Sequence, residues 1–421
     1  MWLRPSQNKK PCEFMDRETD NAVATGPPSK QHFVVLDALR GIAAISVAIF
    51  HAGIIFGSEQ LLPRANLAVD FFFLLSGVVV AHAYEARLRA GRVRDYFERR
   101  AIRLYPMILM GALLGASVII TSPAAQELST GALSLLFVSA SLCLPILKAQ
   151  VYPGNNTIAP VNLPSWSLFF EIAANAAYGL VAKRLTDGRL LAIVVALFAI
   201  ELIGALKFQG INFGHRVVDF PWGFARVGFP FFAGVLINRR FSYRAVPQFA
   251  AAPALLALVL LLTFCISTTG AANVIATLLA VGAVYPAVIV YAMWQIPSAG
   301  HKVILERLGS ISYPLYILHV PLFMWLARIQ RAVTPRFYVP PLGWVFFGVF
   351  LASICAWVVY KIYDVPVRAA LTTLRAPSAP ARDMRPALNE TLKLEDRPRG
   401  ELTRGLGQRR DSASGATAGS R

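Results

Sequence analysis

The chain of 421 residues carries 41 Lys and Arg against 23 Asp and Glu, a formal charge of +18, with 56% hydrophobic and only 15% charged residues and a mean hydropathy of +0.54. A soluble domain carries about 25% charged residues, and so few polar groups cannot cover so much apolar surface, so soluble and disordered classes are excluded and an integral membrane protein is left. The basic excess needs no nucleic acid, because membrane proteins concentrate Lys and Arg in cytoplasmic loops.

Residues 1–30 are polar and charged. No short apolar core precedes a small-residue cleavage site, so no signal peptide is read there and a disordered cytoplasmic tail is expected. Apolar stretches of spanning length, about 17–25 residues, follow at 36–56, 67–84, 104–122, 165–183, 189–206, 222–238, 249–266, 272–293, 311–329 and 340–363. An eleventh, 131–149, is apolar enough to span, and loop charge arbitrates. The segment holding Arg87, Arg89, Arg92, Arg94, Arg99, Arg100 and Arg103 should be cytoplasmic, with the amino terminus on the same side. If 131–149 does not cross, Lys183/Arg184/Arg189, Arg239/Arg240/Arg244 and His301/Lys302/Arg307 also fall inside, and only Lys207, Arg216, Arg331 and Arg336 are misplaced.

The expected architecture is therefore an all-α polytopic bundle of ten transmembrane helices with both termini cytoplasmic. In it 131–149 is re-entrant or interfacial, and Trp166, Trp222 and Trp344 sit at the outer face. From about residue 371 Pro, Ala, Ser, Gly and Arg dominate without apolar period. The expected division is a membrane domain over 31–370 and a disordered basic tail over 371–421. Cys143, Cys265 and Cys355 lie in apolar runs and Cys12 in the polar tail, a spacing that fits neither a disulfide framework nor a metal site.

Charged groups in a bilayer cost roughly 2.5–3.5 kcal/mol each on insertion scales, so those present usually face a cavity. On the first spanning helix Arg40 and His51 are 11 positions apart, close to a whole number of turns and roughly 16 Å along one face. A phosphate-grade cation inside and a titratable base near the exterior suit a long cytosolic donor with an anionic head and a reactive far end, such as acyl-coenzyme A. Taken alone, His51 reads equally as an interhelical hydrogen bond and Arg40 as a snorkelling, positive-inside residue.

Asp70, near the start of the second helix, is expected beside His51, where a carboxylate fixes the tautomer of a general base; a structural ion pair is the bland alternative. Ser76 and Gly77 read as packing residues. Glu171 is expected in the same outer layer, holding an acceptor hydroxyl or pairing with Arg226. Arg100 and Arg103, one turn apart at the cytoplasmic end of the third helix, are spaced to clamp phosphate or to serve as topogenic charges. His319 reads as a structural hydrogen bond, and His82, Glu85 and His301 are given no role.

Together Leu36-Asp37-Ala38-Leu39-Arg40-Gly41 with His51, the run Val69 to Gly77, Arg100 to Pro106, Trp166-Ser167-Leu168 to Glu171, and Ser312 to His319, in that order, resemble the membrane acyltransferase family 3. That family includes O-antigen and Nod-factor O-acetyltransferases, and the resemblance covers about residues 31–370. It implies a multi-pass enzyme of the bacterial inner membrane. Such an enzyme takes acyl groups, acetyl first among them, from cytoplasmic acyl-CoA and modifies hydroxyls of extracytoplasmic glycans or glycolipids, with acyl-CoA a donor substrate rather than a bound cofactor. The chain departs from the family where Ile172 replaces a second carboxylate, and in lacking the soluble esterase-like domain some members append.

The expected mechanism has His51, oriented by Asp70, with Glu171 nearby, deprotonating an acceptor hydroxyl that attacks the thioester of a donor held by Arg40, Arg100 and Arg103. A covalent acyl-histidine is its variant, and no metal takes part. A proton-coupled exporter would use the same buried His, Asp and Glu. A lipid-linked-sugar glycosyltransferase would need acidic residues in an outer loop, where only Glu59 stands.

Overall fold

The computed structural model describes residues 33–58, 61–148, 151–152, 154–241, 251–297, 299–335 and 337–375. The expected tails at 1–30 and, beyond residue 375, at 371–421 lie outside the described residues. Among the described residues each of the ten apolar stretches is helical over most of its length. Helices α1 (Val34–Phe56), α2 (Ala68–Arg89) and α3 (Val93–Ile120) are followed by the short α4 (Thr130–Ser141), then α5 (Ser165–Val181), α6 (Asp187–Phe208), α7 (Gly223–Arg240) and α8 (Ala252–Cys265). Helix α9 (Gly270–Leu279) runs through one wide turn into α10 (Tyr285–Met293), and α11 (Ala299–Val333), α12 (Pro341–Val359) and α13 (Val365–Arg375) complete the order. Residues through Arg368 form one unit, and the last turns of α13 belong to a second one.

Among the described residues eight helical stretches are long and apolar enough to cross a membrane; the remaining two of the ten, α5 and α8, have 17 and 14 residues. The protein is a multi-pass helical membrane protein. The disputed stretch yields only the 12 residues of α4, a rise of about 18 Å against a hydrocarbon core of about 30 Å. Its first turn is capped by Ser129, whose hydroxyl accepts from the Ala132 N–H at 3.2 Å, and it ends in a turn at Cys143 with φ 53°. Ile146 N–H then donates to the Ile158 carbonyl at 2.9 Å, and Ile158 N–H to that of His215 at 3.0 Å. The segment after α4 is thus tied by backbone hydrogen bonds at one end of the bundle, here called the roof.

The opposite, basic end carries the Arg-rich α2–α3 connection. Helix α3 begins at Val93, eleven residues before its apolar stretch, because i,i+4 pairs such as Arg94–Glu98 at 2.7 Å and Arg99–Asp95 at 3.0 Å support its polar first turns. Arg100 and Arg103 therefore stand inside a helix, two turns and more from its start.

Two parallel helix pairs form the centre. The links from α1 to α11 keep a nearly constant sequence separation of 272, 269 and 268 residues, so both run the same way in fixed register. Contact this close is possible because Gly41 lies against the Leu308 carbonyl and Gly309 against Asp37. In α2 and α7, Gly77 meets the Phe231 carbonyl and Gly234 the Leu74 carbonyl. Spans through α2 and α7 are 67% buried, whereas those through α6 and α12 are 28% buried and expose Val195, Ile203, Phe346, Phe350 and Trp357. An apolar exterior of this kind is what a lipid solvent requires.

Candidate functional site

Toward the basic end a cavity of ≈ 150 Å³ is lined by Arg40, Arg100, Arg103, Ser76, Glu171, Ser312, Tyr313 and Tyr316. Arg40 donates through Nε to Ser312 Oγ at 2.8 Å and through Nη2 to the Gly309 carbonyl at 3.1 Å, and pairs with Asp37 at 2.8 Å. Glu171 Oε1 accepts from Arg100 Nη2 at 2.8 Å and from Ser76 Oγ at 3.0 Å. Arg103 stands 3.9 Å from Asp364 and over the Tyr313 ring at 5.4 Å. The Arg100 Nε–H is buried without an acceptor, a donor free to meet an anion. Three guanidinium groups on two helices thus face one space, with Glu171 fixing the direction of one of them.

Toward the roof a second cavity, of ≈ 380 Å³, is lined by His51, Phe50, Asn66, Tyr152, Asn155, Trp166, Asn212, His215, Arg226 and Tyr316. Its chemistry centres on an imidazole pair. His319 Nδ1 lies 2.9 Å from the Leu315 carbonyl, and a carbonyl only accepts, so Nδ1 carries the proton and Nε2 is left as acceptor. His51 Nδ1 lies 3.0 Å from that Nε2 and must donate to it. The second nitrogen of His51, Nε2, is therefore unprotonated, on a ring that lines the cavity. This is the tautomer a general base needs, and it is set by a chain that ends on a backbone carbonyl.

Asp70 does not stand beside His51. It is fully buried and takes the Arg226 guanidinium in a fork, Nε to Oδ1 at 3.1 Å and Nη2 to Oδ2 at 3.2 Å. The remaining Arg226 donors go to the Phe213 carbonyl at 2.8 Å and the Asn66 carbonyl at 3.4 Å, and Trp166 covers the group at 5.0 Å. The reason lies in packing: the parallel contact of α2 with α7 turns Asp70 away from α1. Glu171 is likewise absent from the roof-side layer and does not pair with Arg226. Helix α5 starts at Ser165, and Glu171, its seventh residue and nearly two turns in, lies deep enough to meet Arg100.

Sequence reasoning gave His319 a structural bond and passed over Ser312 and Tyr316 as members of a motif. Their spacing of four and then three puts all three on one stripe of α11, a signal that was present. His215 left no such signal. It comes from the 209–216 connection, where Thr157 and Arg216 form a β-bridge and Asp219 Oδ1 accepts from Gly214 and Arg216 N–H at 2.8 and 2.9 Å. Burial, and then the nearby Arg226 cation, push the His215 imidazole down to about 4, so it is neutral in the roof, with Nδ1 unpartnered. Among the described residues no group of three His, Cys, Asp or Glu side chains is arranged to hold a metal.

Residues 33–361 match the family model for acyltransferase family 3, described as an acyltransferase domain. "Protein 2 in picA locus" of Rhizobium radiobacter is 29% identical over 198 residues, covering 44% of this chain and all of that protein. No solved structure matches.

Proposed function

The chain belongs to acyltransferase family 3 and is a membrane acyltransferase, and from that premise we propose that it carries an acyl group, acetyl first, from cytoplasmic acyl-CoA to a hydroxyl of an extracytoplasmic glycan or glycolipid. The observation that supports this most is the arrangement of two cavities along the α1–α11 pair, one lined by Arg40, Arg100 and Arg103 and the other by His51, whose ring is hydrogen-bonded to the buried His319 behind it. The basic end is read as cytoplasmic, which the positive-inside rule favours, in the inner membrane of a bacterium. There the three arginines hold the phosphates of the donor, and the pantetheine arm, with the thioester at its end, passes between the helices.

His51 Nε2 takes the proton of an acceptor hydroxyl as that oxygen attacks the thioester carbon. The C–O bond forms, the C–S bond breaks, and the departing thiolate takes a proton back from the imidazole pair, leaving an ester and free CoA. His319 receives positive charge from His51 through their shared hydrogen bond, the role expected of Asp70. Removing a well-placed base slows such steps by about 10²–10⁴-fold. Mass spectrometry of surface glycans should show an ester substituent in cells carrying the intact protein and its loss with His51→Ala at equal protein abundance. Unchanged glycan acylation in that variant would overturn the proposal.

A further inference from the structure

The linings of the two cavities have two residues in common, Val69 and Tyr316. Tyr316 is 7% exposed, and its ring is fixed from several sides. Phe72 meets it edge-on at 5.5 Å, and the His319 ring lies 6.0 Å away. The Tyr316 hydroxyl lies 2.7 Å from Ser167 Oγ and 3.4 Å from the Pro164 carbonyl, from which Ser167 Oγ is itself 3.0 Å, so the two hydroxyls and that carbonyl satisfy one another. Turning the ring aside would strand that buried hydroxyl.

We propose that Tyr316, backed by Val69, is the partition at which the donor's thioester comes to rest, and that its ring limits the length of the acyl group. The inference rests on the reading of acyl-CoA as donor. A donor arriving from the three arginines brings its carbonyl to this wall, beside the ring that holds His51. A methyl beyond the carbonyl fits short of Tyr316, and each further methylene must displace the ring or leave the path. A wall that closes a pocket discriminates by about 10- to 200-fold per methylene. Val69 alone is too small to bar a chain once the aromatic ring is gone.

The test is equilibrium binding of two thioether analogues that cannot transfer, S-ethyl-CoA and S-octyl-CoA, to the full chain purified in detergent. Wild type should prefer the ethyl analogue by roughly tenfold or more. Tyr316→Phe should keep most of that preference, because the bulk remains, and Tyr316→Ala should lose it through gain of octyl binding. Thermal unfolding reports whether each variant folds, with Tyr316→Leu replacing the alanine variant if that one does not. Equal preference in wild type and the small-residue variant would overturn the partition while leaving the donor reading intact. If wild type binds neither analogue, the donor reading fails and the partition with it.

Discussion

In α1 and α11 the glycines at 41 and 309 let two parallel helices touch and join His51 to His319 and Arg40 to Ser312, so that His51 lines one cavity and Arg40 with Ser312 the other. In α2 and α7 the glycines at 77 and 234 do the same, yet in the joined pair, Asp70 with Arg226, the residues are 0% and 1% exposed, and Arg226, although it borders the roof-side cavity, has every guanidinium nitrogen engaged. The same packing device therefore gives two outcomes. A polar pair whose hydrogen-bonding capacity is used up holds helices together, because any change in its charge leaves a buried partner exposed to full desolvation cost. A pair that keeps one lone pair free on a cavity wall is able to change protonation and so to do chemistry.

The largest expected effect lies in the first pair. His51→Ala should lower acyl transfer by about 10²–10⁴-fold with folding intact, and His319→Phe should approach it by freeing the His51 tautomer. Full activity in the His319 variant would show that the second imidazole is only a packing residue. Next comes the sealed pair, where Asp70→Ala should cost about 3–5 kcal/mol of stability, seen as lost abundance and a lower Tm in detergent. Asp70→Leu combined with Arg226→Met should recover part of it. A double variant that is stable but inactive would move Arg226 from the scaffold to the chemistry and erase the contrast drawn here.

A smaller effect separates the pairs through their glycines. Gly41→Ala and Gly77→Ala each push a methyl into a neighbouring carbonyl and should cost about 1–3 kcal/mol. Activity per folded molecule should fall with Gly41→Ala, which disturbs the His51–His319 register, and stay within about threefold with Gly77→Ala. The reverse order would mean that the α2–α7 contact sets the geometry of the site.

The smallest effect belongs to the roof. His215 is held at about 4 against an ordinary 6.5, so its neutral form stabilises the fold above pH 6.5, and that contribution is lost as pH falls toward 4. Thermal unfolding followed from pH 8 to pH 4 should show a drop in Tm that His215→Gln flattens. An identical pH profile in the variant would assign the drop to another group.

Sequence alone determined the class, the ten helical stretches and the residues worth watching, because a chain in lipid must be apolar along every span and any ionisable group there stands out against that background. Loop charge, whose misplacement energy is visible without coordinates, also argued against a crossing at 131–149, where the helix formed is the 12-residue α4. Arg40 and His51 shared a face because both lie on one helix, where periodicity is local. Which partner each group takes was decided only by tertiary structure. Asp70 went to Arg226 and His51 to His319 because glycine-set helix contacts, separated by 156 and 268 residues, fix which stripe of one helix meets which stripe of another. Glu171 met Arg100 because α3 starts early and α5 starts deep, and neither offset follows from hydropathy. A buried hydrogen bond depends on ångström-scale register between distant segments, and a sequence records such register only through small residues whose meaning appears once the helices are packed.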